Sequence, residues 1–234
     1  MIINKLANEE EASRVAADIF KQLVAIKPDC VLGLATGTSP LGLYEMLAKM
    51  NKNGEIDFSR VRTVNLDEYC GLPPSHAQSY RYFMDVNLFD KVNIDKTNTF
   101  LPNGTAPDTD EECRRYDGVI ESLGGIDLQL LGIGLNGHIG FNEPEGIFSK
   151  GTHRVKLTES TIKANSRLFA EDEEVPEYAF TMGIQQIMQA KKILLLAGPG
   201  KMDIVERALN GEIDPMVPAS VLQLHRDVTV VMNI

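Results

Sequence analysis

The chain has 234 residues, of which 43% are hydrophobic, and a formal net charge of −10 at pH 7. This length and apolar content suit a single domain with one sizeable core. The acidic balance argues against a nucleic acid or an anionic membrane surface as a partner, although a few placed basic groups can still bind a small anionic substrate.

The cysteines and the N-terminal sequence indicate the cellular compartment. Cys30, Cys70 and Cys113 are an odd number at wide spacings, which predicts neither a disulfide framework nor a zinc site. The N-terminus turns acidic before an apolar signal-peptide core forms, and no apolar run is long enough to span a membrane. We therefore expect a cytoplasmic protein with reduced thiols.

The first part of the chain alternates helix and strand patterns. Asn8 is a predicted helix N-cap, and the glutamates after it suit the positive end of the helix dipole. Apolar residues continue at helical spacing to Leu23, and the apolar run 30–35 predicts a central strand. A further helix is predicted over residues 41–50.

The turn between this strand and this helix has the composition of a phosphate site. It offers hydroxyl and amide donors at Thr36, Gly37 and Thr38, a helix cap at Ser39 and a proline suited to the first helical position at Pro40. A strand, a small polar turn and a helix together bind phosphate at the helix N-terminus. A simple capped turn is an equally good interpretation of this stretch alone.

A second strand is predicted over residues 61–66 and leads into two carboxylates, Asp67 and Glu68. In open α/β sheets, ligands bind beyond the carboxyl ends of the strands. Because neighbouring strand residues point to opposite faces, we expect one of the two carboxylates to face the cleft. A helix cap or a surface ion pair is the alternative.

Two more helices are predicted over residues 79–86 and 108–122. Tyr80, Tyr82 and Phe83 in the first of them are predicted to lie in the core.

The loop after the apolar run 126–131 has the highest density of candidate catalytic residues in the chain. That run predicts a buried parallel strand. Asn136, His138 and Glu143 then lie among closely spaced glycines, which permit positive φ and close approach of the backbone to a ligand. A lone histidine is usually satisfied by a carbonyl group, but this clustering at a strand end favours a site. The spacing matches neither a dinucleotide fingerprint nor a Walker A loop, so a nucleotide cofactor is not indicated.

The last third of the chain contains a different segment. Residues 145–180 are poor in apolar side chains, which predicts a peripheral, lid-like segment. Strands are predicted over 191–197 and 228–232. Between them Lys201 begins a helix, against the dipole preference for acids, and is therefore a weak site candidate.

The alternation of strands and helices predicts an α/β fold of three layers. We expect a Rossmann-like, mostly parallel central sheet with helices on both faces and a small lid segment.

Four motifs resemble the glucosamine-6-phosphate deaminase family: Leu34–Pro40, Asn65–Tyr69, Gly134–Pro144 and Ala164–Arg167. The resemblance runs nearly end to end, and its specific part is the block His-Ile-Gly-Phe-Asn-Glu-Pro. It implies one domain, residues 1–234, that converts glucosamine 6-phosphate and water into fructose 6-phosphate and ammonia with no metal or organic cofactor.

The resemblance also implies catalytic roles. Asp67 would move a proton from C2 to C1, His138 would assist ring opening, and Glu143 would support His138. Asn136 stands where many members carry Asp. An asparagine can orient the imidazole but cannot supply a negative charge, which leaves that part to Glu143.

Binding residues are implied as well. The expected phosphate site comprises Gly37, Thr38, Ser39, Arg167 and Lys201. The expected sugar contacts are Thr36, Glu68 and Gly137.

Regulation is the second point of departure from the family. Longer members are hexamers activated by N-acetylglucosamine 6-phosphate. This chain stops soon after its last predicted strand and has Gly146, His153 and Val155 where Ser, Arg and Lys are expected. We expect no such activation and a monomer, with weak self-association as the alternative.

Three other interpretations stay open at this point. A 6-phosphogluconolactonase-like hydrolase of the same fold would not need Asp67. A non-catalytic sugar-phosphate sensor would keep the phosphate turn but lose the catalytic carboxylates. A metal site built from Asp67, His138 and Glu143 would not follow a known spacing.

Overall fold

The computed structural model describes residues 1–166, 169 and 173–233. The strands in the described part of the chain are β1 (Ile2–Leu6), β2 (Val31–Leu34), β3 (Arg62–Asn65), β4 (Asp67–Tyr69), β5 (Thr99–Phe100), β6 (Leu128–Gly132), β7 (His153–Lys156), β8 (Tyr178–Thr181), β9 (Lys192–Ala197) and β10 (Val228–Asn233).

The α-helices there are α1 (Glu9–Ile26), α2 (Leu41–Lys52), α3 (Tyr80–Asn87), α4 (Thr109–Ser122), α5 (Glu159–Ser166), α6 (Ile184–Gln189) and α7 (Met202–Asn210). None of these helices combines the length and the apolar character needed to cross a bilayer.

The central sheet has seven strands in the order β1-β10-β9-β6-β2-β3-β5, and every neighbouring pair is parallel. All four residues of β2 are buried. Because alternate strand residues point to opposite faces, this burial requires a layer on each side of the sheet. The predicted α/β fold with a parallel central sheet is confirmed.

Local signals placed several elements correctly. The Asn8 side chain accepts a hydrogen bond from the Glu11 amide at 2.9 Å, as an N-cap does. Two local predictions were wrong. Pro40, not Ser39, occupies the N-cap position of α2, and the proline side chain offers no hydrogen-bonding atom to cap the helix. Tyr82 is 41% exposed, because it lies on the outer side of the short helix α3.

A second, antiparallel sheet joins β4, β8 and β7 in that order. It corrects the view of residues 145–180 as wholly peripheral, since Ala179 and Phe180 on β8 are at most 2% exposed. Ala179 is buried because it packs in a second apolar cluster with Tyr69, Phe141 and Leu157. Strand β4 continues almost directly from β3, so this small sheet is built onto the carboxyl edge of the large one.

The topology sets where the site lies. Strands β2, β6 and β9 are parallel neighbours, so the loops that follow them emerge at one edge of the sheet. Those loops are the turn at residues 36–40, the glycine-rich loop at 133–143 and the turn at 198–201.

Candidate functional site

A cavity of about 510 Å³ opens at this edge, between the three loops, strand β4 and helix α5. The predicted site residues that line it are Thr36, Gly37, Thr38, Ser39, Asp67, Asn136, His138 and Lys201. The fold therefore brings together residues that lie up to 165 positions apart in the chain, from Thr36 to Lys201.

Asp67 is the buried acid of this cavity. It is 6% exposed, and its Oδ1 atom has no hydrogen-bond partner among the described residues. Burial and, to a smaller extent, the neighbouring Glu68 carboxylate together raise the pKa of Asp67 to about 8. A carboxyl group with such a pKa can take up and release a proton near neutral pH.

Glu68 points away from the cavity. Its Oε1 accepts hydrogen bonds from the amides of Tyr69 at 2.9 Å and Tyr80 at 2.8 Å, and its Oε2 accepts one from the Arg81 amide at 2.9 Å. Burial raises the pKa of Glu68 to about 7 against the lowering effect of these three amide donors. Glu68 thus binds the first two amides of α3, whose N-cap is Ser79, and it does not line the cavity, so its sugar contact stays a prediction.

His138 lies over the backbone of the glycine-rich loop. A Cβ atom at Gly134 would come within 2.2 Å of His138 Cε1, so the imidazole can occupy this position only because residue 134 lacks a side chain. The His138 amide donates to Asn136 Oδ1 at 3.2 Å. The loop therefore positions both the backbone and the ring of His138.

Glu143 stands beside the imidazole. Its Oε1 lies 3.4 Å from His138 Nδ1, and its Oε2 accepts a hydrogen bond from Asn136 Nδ2 at 2.6 Å. Burial alone would raise the pKa of Glu143, but the contacts with His138, Asn136 and Thr161 outweigh it and lower that pKa. The result is a carboxylate that stays ionised next to a histidine.

The opposite end of the cavity suits an anion. Thr38 and Ser39 are exposed at the start of α2, and Lys201 comes from the N-terminus of α7. No carboxylate in the described part of the chain forms an ion pair with Lys201, and burial lowers the pKa of its amine. In a chain with a net charge of −10, an unpaired, half-buried cation favours an anionic ligand here.

Two other predicted binding residues lie elsewhere. Gly137 is buried against Val217, its carbonyl accepts a hydrogen bond from the Ala219 amide at 2.8 Å, and its φ of +88° is one that glycine adopts readily. It shapes the loop and does not line the cavity. Arg167 lies outside the described residues, so its place in the phosphate site stays a prediction.

Two residues of the cavity wall were missed by sequence reasoning. Tyr80, predicted as core, lines the cavity, and its ring stacks on Phe141 with the centroids 6.1 Å apart. Thr161 on α5 also lines it and donates to Glu143 Oε1 at 3.1 Å. Only Thr161 could have been suspected from the sequence, since it lies close to the Ala164–Arg167 motif.

The proposed metal alternative finds no support in this arrangement. Within the described ranges, no group of three or more His, Cys, Asp or Glu side chains is placed to hold a metal ion.

Comparisons with known proteins add a second line of observation. The family model described as glucosamine-6-phosphate isomerases/6-phosphogluconolactonase matches residues 5–231. A glucosamine-6-phosphate deaminase from Lachnoclostridium phytofermentans is 59% identical over 222 residues, which are 94% of this chain and 94% of the relative. One from Thermoanaerobacter sp. strain X514 is 56% identical over 97% of this chain and 90% of its own length.

Solved structures agree with these relatives. A monomeric glucosamine-6-phosphate deaminase superimposes with a TM-score of 0.96 at 45% identity, covering 100% of this chain and 97% of the other. A 6-phosphogluconolactonase from Thermotoga maritima reaches a TM-score of 0.80 at only 19% identity, covering 99% of this chain and 98% of its own. The latter likeness shows a shared fold and no more.

Proposed function

This chain belongs to the family of glucosamine-6-phosphate isomerases and 6-phosphogluconolactonases, and we propose that it converts glucosamine 6-phosphate and water into fructose 6-phosphate and ammonia. Its relatives at 52–59% identity are named glucosamine-6-phosphate deaminases. The lactonases resemble it only distantly, at 15–19% identity among the solved structures compared.

One observation within the structure carries the proposal. A buried carboxyl group with a raised pKa, Asp67, shares a cavity with His138, which Glu143 contacts from behind, and the other end of that cavity presents Lys201, which has no ion-pair partner among the described residues. A hydrolysis of a lactone has no proton to remove from carbon, whereas an aldose–ketose isomerisation requires a base beside C2.

Ring opening is the first step. His138 passes a proton between the ring oxygen O5 and the hydroxyl on C1, which breaks the bond between C1 and O5. Glu143, held 3.4 Å from Nδ1, stabilises the imidazolium form as it appears. Asn136 fixes the other carboxylate oxygen and adds no charge of its own.

Isomerisation follows in the open chain. The Asp67 carboxylate takes the proton from C2 and returns it at C1, while one proton of the substrate's ammonium group moves to O1, which leaves a hydroxyl group on C1 and an iminium group at C2. Water adds to that carbon and the C–N bond breaks, so that ammonia and the ketose are released. The substrate's ammonium group, close to Asp67, favours the ionised carboxylate and so prepares the base when substrate binds.

The phosphate group anchors the other end of the sugar. Thr38 and Ser39 offer hydroxyl groups and amides at the start of α2, and Lys201 supplies a point charge. Arg167 is expected to close over the same group. With the phosphate held, the sugar chain extends along the cavity towards Asp67 and His138.

The test is the release of ammonia and fructose 6-phosphate from glucosamine 6-phosphate, measured in EDTA for the native chain and Asp67→Asn. We expect both products together from the native chain and neither from the variant. Binding of substrate without product would instead indicate a sugar-phosphate sensor. Turnover of 6-phosphogluconolactone without ammonia would indicate the hydrolase. Sedimentation of the same samples checks the expected monomer.

A further inference from the structure

Thr161 is the residue of helix α5 that lines the cavity in the described part of the chain. It lies in α5, and its hydroxyl donates a hydrogen bond to Glu143 Oε1 at 3.1 Å. The Oγ1 atoms of Thr158 and Thr161 are 2.9 Å apart, and the Thr161 amide is 3.3 Å from the same Thr158 oxygen. The start of α5 therefore holds Thr161 in place.

Glu143 depends on this contact for its orientation. Its side chain is 7% exposed, so water has little access to its oxygens. Asn136 Nδ2 binds Oε2 at 2.6 Å, and Thr161 Oγ1 binds Oε1 at 3.1 Å. Each oxygen thus has one neutral donor, and Oε1 is also the atom that faces His138 Nδ1 at 3.4 Å.

We propose that Thr161 is a positioning residue for ring opening: its hydroxyl holds the Glu143 carboxylate against His138. This inference rests on the proposed function and deepens it. Because Asn136 carries no charge, Glu143 is the carboxylate that contacts the imidazole, and a rotation of its carboxylate group would remove the negative charge from Nδ1. Thr161 and Asn136 together prevent that rotation.

The charged surroundings set the expected pH effect. His138 is the titratable group in contact with Glu143 in the described part of the chain, while Asp67 from β4 and Lys201 from α7 line the same cavity. Thr161 is one of the donors that lower the pKa of Glu143. Its loss should raise that pKa, so the acidic limb of the rate profile moves to higher pH, by about 1 unit for one hydrogen bond to a charged group.

The experiment compares Thr161→Val, which keeps the shape and removes the hydroxyl, with Thr161→Ser, which keeps the hydroxyl. We expect Thr161→Val to lower kcat about tenfold with KM within about twofold, and to move the acidic limb upwards. Thr161→Ser should restore both to within about twofold of the native chain. Equal activity of Thr161→Val and the native chain would overturn the proposal, as would equal losses in both variants. A rise in KM alone would make Thr161 a substrate contact instead.

Two controls separate this role from a general effect. Thr229→Val makes the same substitution on β10, away from the cavity, and should leave kcat and its pH profile unchanged. The second readout needs no substrate, because NMR titration follows the Glu143 carboxyl carbon. Its midpoint should move to higher pH in Thr161→Val and not in Thr161→Ser. If the native chain released no ammonia, the proposed function would fail, and an unchanged Glu143 titration would separately overturn the contact.

Discussion

Ionisation of Asp67 should lower the free energy of unfolding as the pH rises, because the charged carboxylate that acts as the base is buried. The carboxyl group ordinarily titrates near pH 3.8, but in the folded chain burial raises its pKa to about 8. Between these values the folded protein holds a proton that the unfolded chain releases. Stability therefore falls as the pH rises across this window, and the term is absent in Asp67→Asn.

The magnitude follows from the shift. Each pKa unit corresponds to about 1.4 kcal/mol, so a shift of about four units is worth up to about 6 kcal/mol above pH 8. The asparagine carries a cost of its own, because its amide would lack a partner where Oδ1 now has none among the described residues. That cost does not depend on pH. The informative quantity is the change with pH in the stability difference between the two chains.

We expect Asp67→Asn to gain about 2.5 kcal/mol of unfolding free energy relative to the native chain between pH 5.5 and pH 7.5. Urea unfolding followed by circular dichroism at both pH values measures it. Asp29→Asn, at an exposed carboxylate, is the matched control and should change by less than about 0.5 kcal/mol. A difference between Asp67→Asn and the native chain that stays constant with pH would mean that Asp67 ionises normally, and the argument for it as a base near pH 7 would be wrong.

Four further outcomes are expected. Lys201→Met should raise KM for the sugar phosphate about 10- to 100-fold and weaken competition by inorganic phosphate, with a normal melting temperature; an unchanged KM would remove Lys201 from the phosphate site. Gly134→Ala should lower kcat at least about tenfold, because the new methyl group would meet the imidazole at 2.2 Å; full activity would contradict the placement of His138. Asn136→Asp should keep activity but move the acidic limb to higher pH, since a second carboxylate would replace the donor 2.6 Å from Glu143; an identical profile would show no coupling. Rate curves should be hyperbolic and indifferent to N-acetylglucosamine 6-phosphate, since the cavity beside Glu145, His153 and Val155 has a volume of only about 20 Å³; a sigmoidal curve relieved by that compound would refute this.

The order of elements was predictable from the chain because its signals are local. The apolar run at 30–35 and the cap at Asn8 act through neighbours a few residues away, and both appear in the structure. The glycine-rich loop was also recognisable, since its composition has few purely structural explanations. The need for a glycine at position 134 is visible only in the structure, where the His138 ring occupies the space of a side chain at that position.

Pairing between distant segments was not predictable in this way. Strand β8 looked peripheral because its four residues carry no long pattern, yet β4 and β7 pair with it on either side. The two-residue period of a strand correctly implied that one of Asp67 and Glu68 would face the cavity. Which one did so depended on α3, whose amides bind Glu68 and leave Asp67 inside.

The sequence by itself determined the fold class, the family and the loops that carry the chemistry, because periodicity, turn residues and motifs are properties of short stretches. Tertiary structure decided what each side chain can do there. Burial raises the pKa of Asp67, and Thr161 reaches Glu143 across 18 residues of chain. Desolvation and hydrogen-bond geometry are properties of packed surroundings, and those surroundings exist only after segments remote in the chain have come together.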